Sequence, residues 1–288
     1  MSAVTRLRST TDHPAPPAAV SGALRSVPRL QESVARAGHR ATVPGRTDGL
    51  LVAGDEVHFT LDVLGVAVEV VVRVDRSDAR EQVSTLLRGP RPFPAGSMGL
   101  DHRTTVVPTA AGCRASDDVT WRSPLGPLGA AADVLALRRV GRAVLAERTR
   151  AVAASATRLT TAGVVAAGAV LDDGRLLVAR RTWPAEHAGS WELPGGGVDP
   201  GETAGQAVAR ELVEELELEV AVGEQVGSDV PLADGRVLRA HLARLVGGAA
   251  ELREHSELRW VGRRELAGLD LLDADRGWVP DLAPLLRP

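Results

Sequence analysis

Apolar and polar residues alternate through much of the first half of the chain, then give way to a helical pattern. Period-two alternation marks half-buried strands, because successive strand side chains point to opposite faces. Five strands are expected on that basis: Glu56–Leu64, Val66–Asp75, Arg80–Leu87, Gly99–Val107 and Ser116–Arg122, the first two joined by a hairpin at Gly65. From Pro124 to Ala154 the pattern is helical, with Leu135, Val140, Val144 and Leu145 among its apolar positions. Strands closed by one long helix indicate an α+β domain. Residues 1–24, rich in Ala, Pro, Ser and Thr without periodicity, read as a disordered tail.

A second domain is expected from Thr157 to Pro288. Its strands are Val164–Leu171, Arg175–Ala179 after an Asp172-Asp173-Gly174 turn, Leu218–Val222, Val237–Leu245 and Leu258–Val261. A last helix is expected over Gly277–Leu286, and no internal repeat is visible. Between these strands Pro194–Gly201 is a Gly- and Pro-rich loop, and Thr203 followed by Gln206 is a capping-box pattern that starts a helix near Ala204. Val208, Leu212 and Leu216 give that helix a buried stripe.

Glu211, Glu214 and Glu215 stand at i, i+3 and i+4, on one face beside the stripe. Three crowded carboxylates repel one another, and a hard divalent cation with oxygen ligands removes the penalty; Mg2+ suits carboxylates combined with substrate phosphates. Gly195 and Gly196 allow the preceding loop to approach the same place. Arg210, four residues before Glu214, can pair with it and fix its orientation.

Composition narrows the class. With 288 residues, 44% of them hydrophobic and 25% charged, the chain suits two globular domains. No apolar run approaches the ~20 residues of a membrane span, and the amino terminus has no apolar signal core. One cysteine, Cys113, excludes an internal disulfide framework and fits a reducing compartment, so a cytoplasmic location is expected. Lys, Asn, Ile and Tyr are absent, which points to a GC-rich bacterial genome and carries no functional meaning. Residues 157–288 hold 14 Arg against 22 acidic residues, while residues 1–156 hold 20 Arg against 15. An acidic second half fits a cation-dependent site and argues against nucleic-acid polymers as partners.

The stretch Gly196–Leu218 resembles the Nudix box. Gly196, Glu202, Arg210-Glu211, Leu212 and Glu214-Glu215 stand at the family's spacing, and Glu217 takes the place of its second Gly. The resemblance implies a mixed sheet between helices, an α/β/α sandwich, and hydrolysis of a nucleoside diphosphate linked to a group X. It implies Mg2+, or Mn2+ in its place, held by Glu211, Glu214, Glu215 and the Gly195 carbonyl, with Glu202 supporting the loop. By the same likeness to MutT-like members, Arg181 contacts phosphate, Asp275 in the segment Leu271–Asp275 reads the base edge, and Trp278 stacks nearby. The general base is Glu254 or Glu257, six and three residues before Trp260, with Glu254 the better spaced. His187 and His255 read as bystanders. The strand Val237–Leu245, where relatives carry a stacking aromatic, offers only Arg239, Ala240 and His241, so the base stays open. A nucleoside triphosphate releasing pyrophosphate is the favoured substrate.

Roughly residues 25–152, within a first domain expected over 25–156, resemble the SRPBCC (START-like, helix-grip) family through the words RGPRPF, LDHRTTVVP, DDVTWRSPLGPLG and AADVLALRR. Asp117-Asp118 and the Ser123-Pro124-Leu125-Gly126 turn match best. This implies an antiparallel sheet wrapped around the last helix and a cavity for an apolar small molecule. Asp101, His102 and Arg103 read as a solvated strand face. Two other readings stand beside the enzyme: a non-catalytic nucleotide sensor that regulates the first domain, and a binding module for apolar metabolites. The oligomeric state is left open.

Overall fold

The computed structural model describes residues 4–90, 98–122 and 137–288. The chain divides into two compact units, residues 1–160 and 161–288. The expected boundary at 156/157 falls inside a helix that runs to Thr161.

The first unit is built on a seven-stranded antiparallel sheet. Its strands are β1 (Val4–His13), β2 (Arg40–Thr42), β3 (Glu56–Val63), β4 (Val66–Ser77), β5 (Glu81–Arg88), β6 (Gly99–Thr109) and β7 (Gly112–Arg122), in the spatial order β1-β7-β6-β5-β4-β3-β2. Helices α1 (Pro17–Arg25) and α2 (Val27–Arg36) follow β1, and α3 (Leu137–Thr161) ends the unit. The Ser123–Gly126 turn and the start of the expected closing helix lie outside the described residues.

The disordered tail is a misreading. Residues 4–13 pair in register with β7, from Val4 opposite Arg122 to His13 opposite Cys113. Thr5, Leu7 and His13 turn inward and are buried, while Arg6 and Arg8 face out and hold Asp118. Ala19, Val20, Ala23 and Leu24 then bury one side of α1. Polar β-formers gave the segment a weak apolar signal, and its partner strand lies about a hundred residues downstream in sequence.

Leu145 of α3 packs with Leu7 and Trp121, and Val144 packs against the cluster containing Val27, Val34, Val57 and Val74. Beside these apolar contacts lies a polar group. The Oδ1 atom of Asp117 accepts from Arg148 at 2.6 Å and Thr104 at 2.7 Å, and pairs with His102 Nε2 at 2.7 Å. Burial opposes ionisation of Asp117, but Arg148 and the hydrogen bonds hold its carboxyl well below the usual range. His102 is thus no plain solvated residue. Among the described residues, the cavity lined by Ala23, Leu24, Leu30, Ser33, Arg148 and Val152 measures about 10 Å³, room for a water.

The second unit has a mixed sheet ordered β10-β9-β8-β13-β12, with β11 paired to β8 and β14 to β9. Here β8 is Val164–Asp172, β9 Arg175–Arg180, β10 Trp191–Glu192, β11 Gly195–Gly197, β12 Glu219–Pro231, β13 Val237–Gly247 and β14 Glu257–Val261. The β8–β13 pair is parallel. Helix α4 (Ala204–Leu216) buries Ala207, Val208, Leu212 and Leu216 against Ala166, Val170, Leu177 and Ala243. Each fully buried Val or Leu in that seam is worth about 1.5–3 kcal/mol. Two short helices, α5 (Arg263–Gly268) and α6 (Asp273–Arg276), follow β14, and the helix expected over Gly277–Leu286 is reduced to α7 (Val279–Leu282) and a 3-10 turn (Ala283–Leu285). Pro280 and Pro284 lack the N–H donors that a continuous helix there requires. Among the described residues no helix is long and apolar enough to cross a membrane.

Candidate active site

The start of α4 is fixed by its own sequence. The Thr203 hydroxyl accepts from the Gln206 backbone N–H at 3.3 Å, and the Gln206 side chain accepts from the Thr203 N–H at 2.9 Å. This cap sets the helix phase, so the buried stripe and the acidic face follow. At the other end Glu217 adopts the left-handed conformation, φ 54°, where the Nudix pattern has Gly. Its N–H still closes the helix on Leu212 and Val213, and its carboxylate is held by Arg253. The exit turn forms despite the missing Gly.

The glycine loop lies tight against this helix. A Cβ on Gly195 would meet the Ala166 carbonyl oxygen at 2.1 Å, and one on Gly196 would meet Glu211 Oε1 at 2.2 Å. Only glycine lets β11 pair with β8 and leaves space for the Glu211 carboxylate.

Arg210 ties the loop to the helix. Its guanidinium donates to Glu202 at 3.0 and 3.1 Å, to the Gly197 carbonyl at 2.9 Å, to Glu211 at 2.9 Å and to Glu214 at 3.2 Å. The hydrogen bonds with Glu202, then those with Glu211, raise its pKa further. The expected Arg210–Glu214 pair exists, as one contact of a larger clasp.

Glu215 differs from its neighbours. Its Oε2 is buried without a hydrogen-bond partner. Burial pushes its carboxyl up to about 7; the charges of Glu211, Glu254 and Glu192 add to the rise, and His255 opposes it. Charges from α4, β10 and the segment before β14 thus bear on this one carboxylate. Glu254, the favoured base, belongs to the group. Glu257 stands apart on β14, paired with Arg259 at 2.6 Å and Arg180 at 3.4 Å.

Arg181 and Asp275 converge on the same wall. Arg181 is ion-paired with Glu192 and donates to the Trp183 carbonyl at 3.1 Å. Asp275 is 4% exposed and accepts the Leu193 N–H at 2.9 Å, and burial pushes its carboxyl up to about 7. Trp278 is no stacking residue: it is fully buried, and its indole N–H donates to the Ser228 carbonyl at 2.7 Å.

Two residues join the site that were not expected to take part in it. Glu192 is 8% exposed and bridges Arg181 and His255. His255 has a side chain only 7% exposed, bonds Glu192 at 3.1 Å and leaves Nδ1 buried without a partner, so it is not a bystander. The pair is 63 residues apart in sequence and meets only through the pairing of β9 with β10 and β14.

Among the described residues no three His, Cys, Asp or Glu side chains converge closely enough to hold a metal ion, and Arg210 draws Glu211 and Glu214 toward itself. Two observations still fit a hard divalent cation to this face. The buried, unpartnered oxygen of Glu215 lacks a positive partner, and the donors are carboxylates and a backbone carbonyl, the oxygen set that Mg2+ prefers.

Residues 162–282 match the NUDIX domain model. A Mycobacterium tuberculosis (strain CDC 1551 / Oshkosh) protein named "Putative 8-oxo-dGTP diphosphatase 2" is 50% identical over 127 residues, 43% of this chain and 90% of that protein. The CTP pyrophosphohydrolase of Escherichia coli (strain K12) is 37% identical over 113 residues, 38% of this chain and 84% of that protein. The solution structure of the E. coli ORF135 protein is 33% identical, covering 43% of this chain and 89% of its own, with a TM-score of 0.38. Identity of this degree over almost whole relatives, on a chain that carries the glycine loop, the capped helix and its acidic face, shows that the protein belongs to the Nudix family and is a pyrophosphohydrolase.

Proposed function

We propose that the second unit hydrolyses a nucleoside diphosphate linked to a further group, most specifically a (deoxy)nucleoside triphosphate, to the monophosphate and pyrophosphate. The observation that carries this reading is the buried Glu215 carboxylate, with its unpartnered oxygen and the charges of Glu192, Glu211 and Glu254 upon it. The printed names of the two relatives, "Putative 8-oxo-dGTP diphosphatase 2" and "CTP pyrophosphohydrolase", support the substrate class without choosing the base.

Glu211, Glu214, Glu215 and the Gly195 carbonyl would hold Mg2+, which when bound supplies positive charge against the developing phosphate charge and favours ionised water. Glu254 takes the proton of the attacking water. The water oxygen bonds to phosphorus as the anhydride P–O bond breaks, and pyrophosphate departs. Arg181 exchanges part of its contact with Glu192 for phosphate oxygens, which its planar fork matches in pairs. Asp275 closes the wall behind the base through the Leu193 N–H. The first unit is read as an SRPBCC-like ligand-binding domain that takes in β1 and α1 as well as the expected residues 25–156, supported by its antiparallel sheet and final long helix.

The test is a screen of nucleoside triphosphates with Mg2+, reading pyrophosphate release from the full chain and from Glu214→Gln. Turnover by the wild type and its near-abolition in the folded variant is the expected result. Nucleotide binding without turnover would favour the sensor reading instead.

A further inference from the structure

The base of the proposed reaction, Glu254, sits on a stretch with little backbone support. Strand β14 begins at Glu257, three residues after Glu254. Its pairing with β9 ends there, with Glu257 opposite Arg180, and one further backbone bond follows, Ser256 N–H to the Arg180 carbonyl at 2.9 Å. On the other side, Glu251 N–H reaches the Leu216 carbonyl at 3.0 Å. Among the described residues, no backbone–backbone hydrogen bond holds residues 252–255 between these two points. A segment tied only at its ends opens locally at low cost and carries its side chains loosely.

Side chains take over the task. Arg253 donates to the Glu214 carbonyl at 3.2 Å and pairs with Glu217, and His255 bonds Glu192 at 3.1 Å. Those contacts hold the neighbours of Glu254. Among the described residues, the hydrogen bond to Glu254 itself comes from Thr182, whose hydroxyl donates to the Glu254 carbonyl at 2.7 Å. That hydroxyl is presented from a fixed place. Arg181, one residue earlier, donates its N–H to the Ser190 carbonyl at 3.0 Å and accepts the Gly189 N–H at 2.9 Å. The branched Cβ of threonine restricts χ1, so little rotamer freedom is lost in aiming the oxygen.

We propose that Thr182 is a positioning residue for the hydrolysis, holding the Glu254 backbone so that the carboxylate meets the attacking water. The inference rests on the reading of Glu254 as the base. A base acts only within hydrogen-bond reach of the proton it takes, and a misplacement of about 1 Å costs up to about 100-fold in rate. Thr182 lies at the surface, where water can replace a lost hydroxyl, so its removal tells on rate more than on stability.

Steady-state kinetics with a nucleoside triphosphate and Mg2+ test this on the full-length wild type, Thr182→Val, Thr182→Ser, Glu254→Gln and the double variant Thr182→Val/Glu254→Gln. Valine keeps the branched shape and removes the hydroxyl, while serine keeps the hydroxyl. Thr182→Val is expected to lower kcat about ten-fold, with KM within about two-fold and Tm within about 2 °C, and Thr182→Ser to recover most of the loss. In the Glu254→Gln background Thr182→Val should cost nothing further, because the side chain it positions no longer takes a proton. Should Thr182→Val fail to fold, Thr182→Ala is read by the same criteria. Wild-type kcat in Thr182→Val, or an equal loss with and without the Glu254 carboxylate, would overturn the positioning role alone. Wild-type turnover by Glu254→Gln would overturn the base assignment and this inference with it, and a wild type that hydrolyses no nucleotide would overturn the whole reading.

Discussion

His255 meets Glu192 at 3.1 Å, joining the segment before β14 to the short strand β10. Glu192 is also paired with Arg181, so one buried carboxylate receives a cation on one side and an imidazole on the other. The bond fixes the backbone next to Glu254, and the Thr182 hydroxyl holds the Glu254 carbonyl itself at 2.7 Å. Removing the imidazole leaves part of Glu192 buried and unmet, which costs about 1–3 kcal/mol. His255→Ala should therefore lower Tm by several degrees and reduce kcat at least about ten-fold, since the loop holding the base loosens. Calorimetry and turnover measured together check it; an unchanged Tm contradicts the structural role of the bond.

Gly196→Ala tests the close approach of loop and helix. The added methyl would sit 2.2 Å from Glu211 Oε1, and a flexible carboxylate yields more readily than backbone. The φ of Gly196 is not in the left-handed region, so the substitution carries no backbone strain of its own. The expected result is an activity loss on the order of 100-fold, from displacement of the Glu211 carboxylate, with a stability change below about 2 kcal/mol. Wild-type turnover would show that the position of Glu211 does not matter.

Glu217→Gly should stabilise the protein. A non-glycine residue at φ 54° costs about 1–2 kcal/mol, and the exposed pair with Arg253 returns about 0–1 kcal/mol. The net gain, about 0.5–1 kcal/mol, should raise the Tm of the unit by roughly 2–4 °C. A lower Tm would mean that the Arg253 pair outweighs the strain.

Asp275 links stability to pH. Its carboxyl is pushed up to about 7 by burial, above the ordinary 3.8. Between about pH 4 and 7 the folded unit holds a proton that the unfolded chain has lost. This group's stabilisation is therefore full below about pH 4 and is lost as pH rises through 7. Asp275→Asn keeps an acceptor for the Leu193 N–H and cannot ionise, so its Tm should gain on wild type over that window and hold the gap above it. Parallel Tm profiles for the two proteins would refute the assignment.

Local signals were readable and distant ones were not. The capping box at Thr203 and Gln206, the Val208–Leu212–Leu216 stripe and the acidic face depend on neighbours within one or two helical turns, and the sequence carries them in full. Strand β1 depends on β7, far away in the chain, and its Thr- and Arg-rich alternation was too polar to stand out. Glu192 and His255 acquire their roles only when β10 and β14 flank β9, a pairing that no local pattern encodes. Trp278 was misread because burial is set by the whole fold: the turn at Gly227 lies against its ring, where a Cβ would be 2.4 Å from Cδ1. Arg210 was half legible, since its pair with Glu214 follows from i,i+4 spacing and its hold on Glu202 and Gly197 follows from loop geometry.

Glu215 gives the central claim its sharpest test. Pyrophosphate release from a nucleoside triphosphate should be measured for wild type and Glu215→Gln across a Mg2+ titration, with Tm recorded for both. The account predicts wild-type turnover that depends on Mg2+, a loss on the order of 100-fold or more in the variant, and a Tm equal or higher because a strained buried carboxylate is gone. Near-normal turnover by a folded Glu215→Gln protein would contradict it.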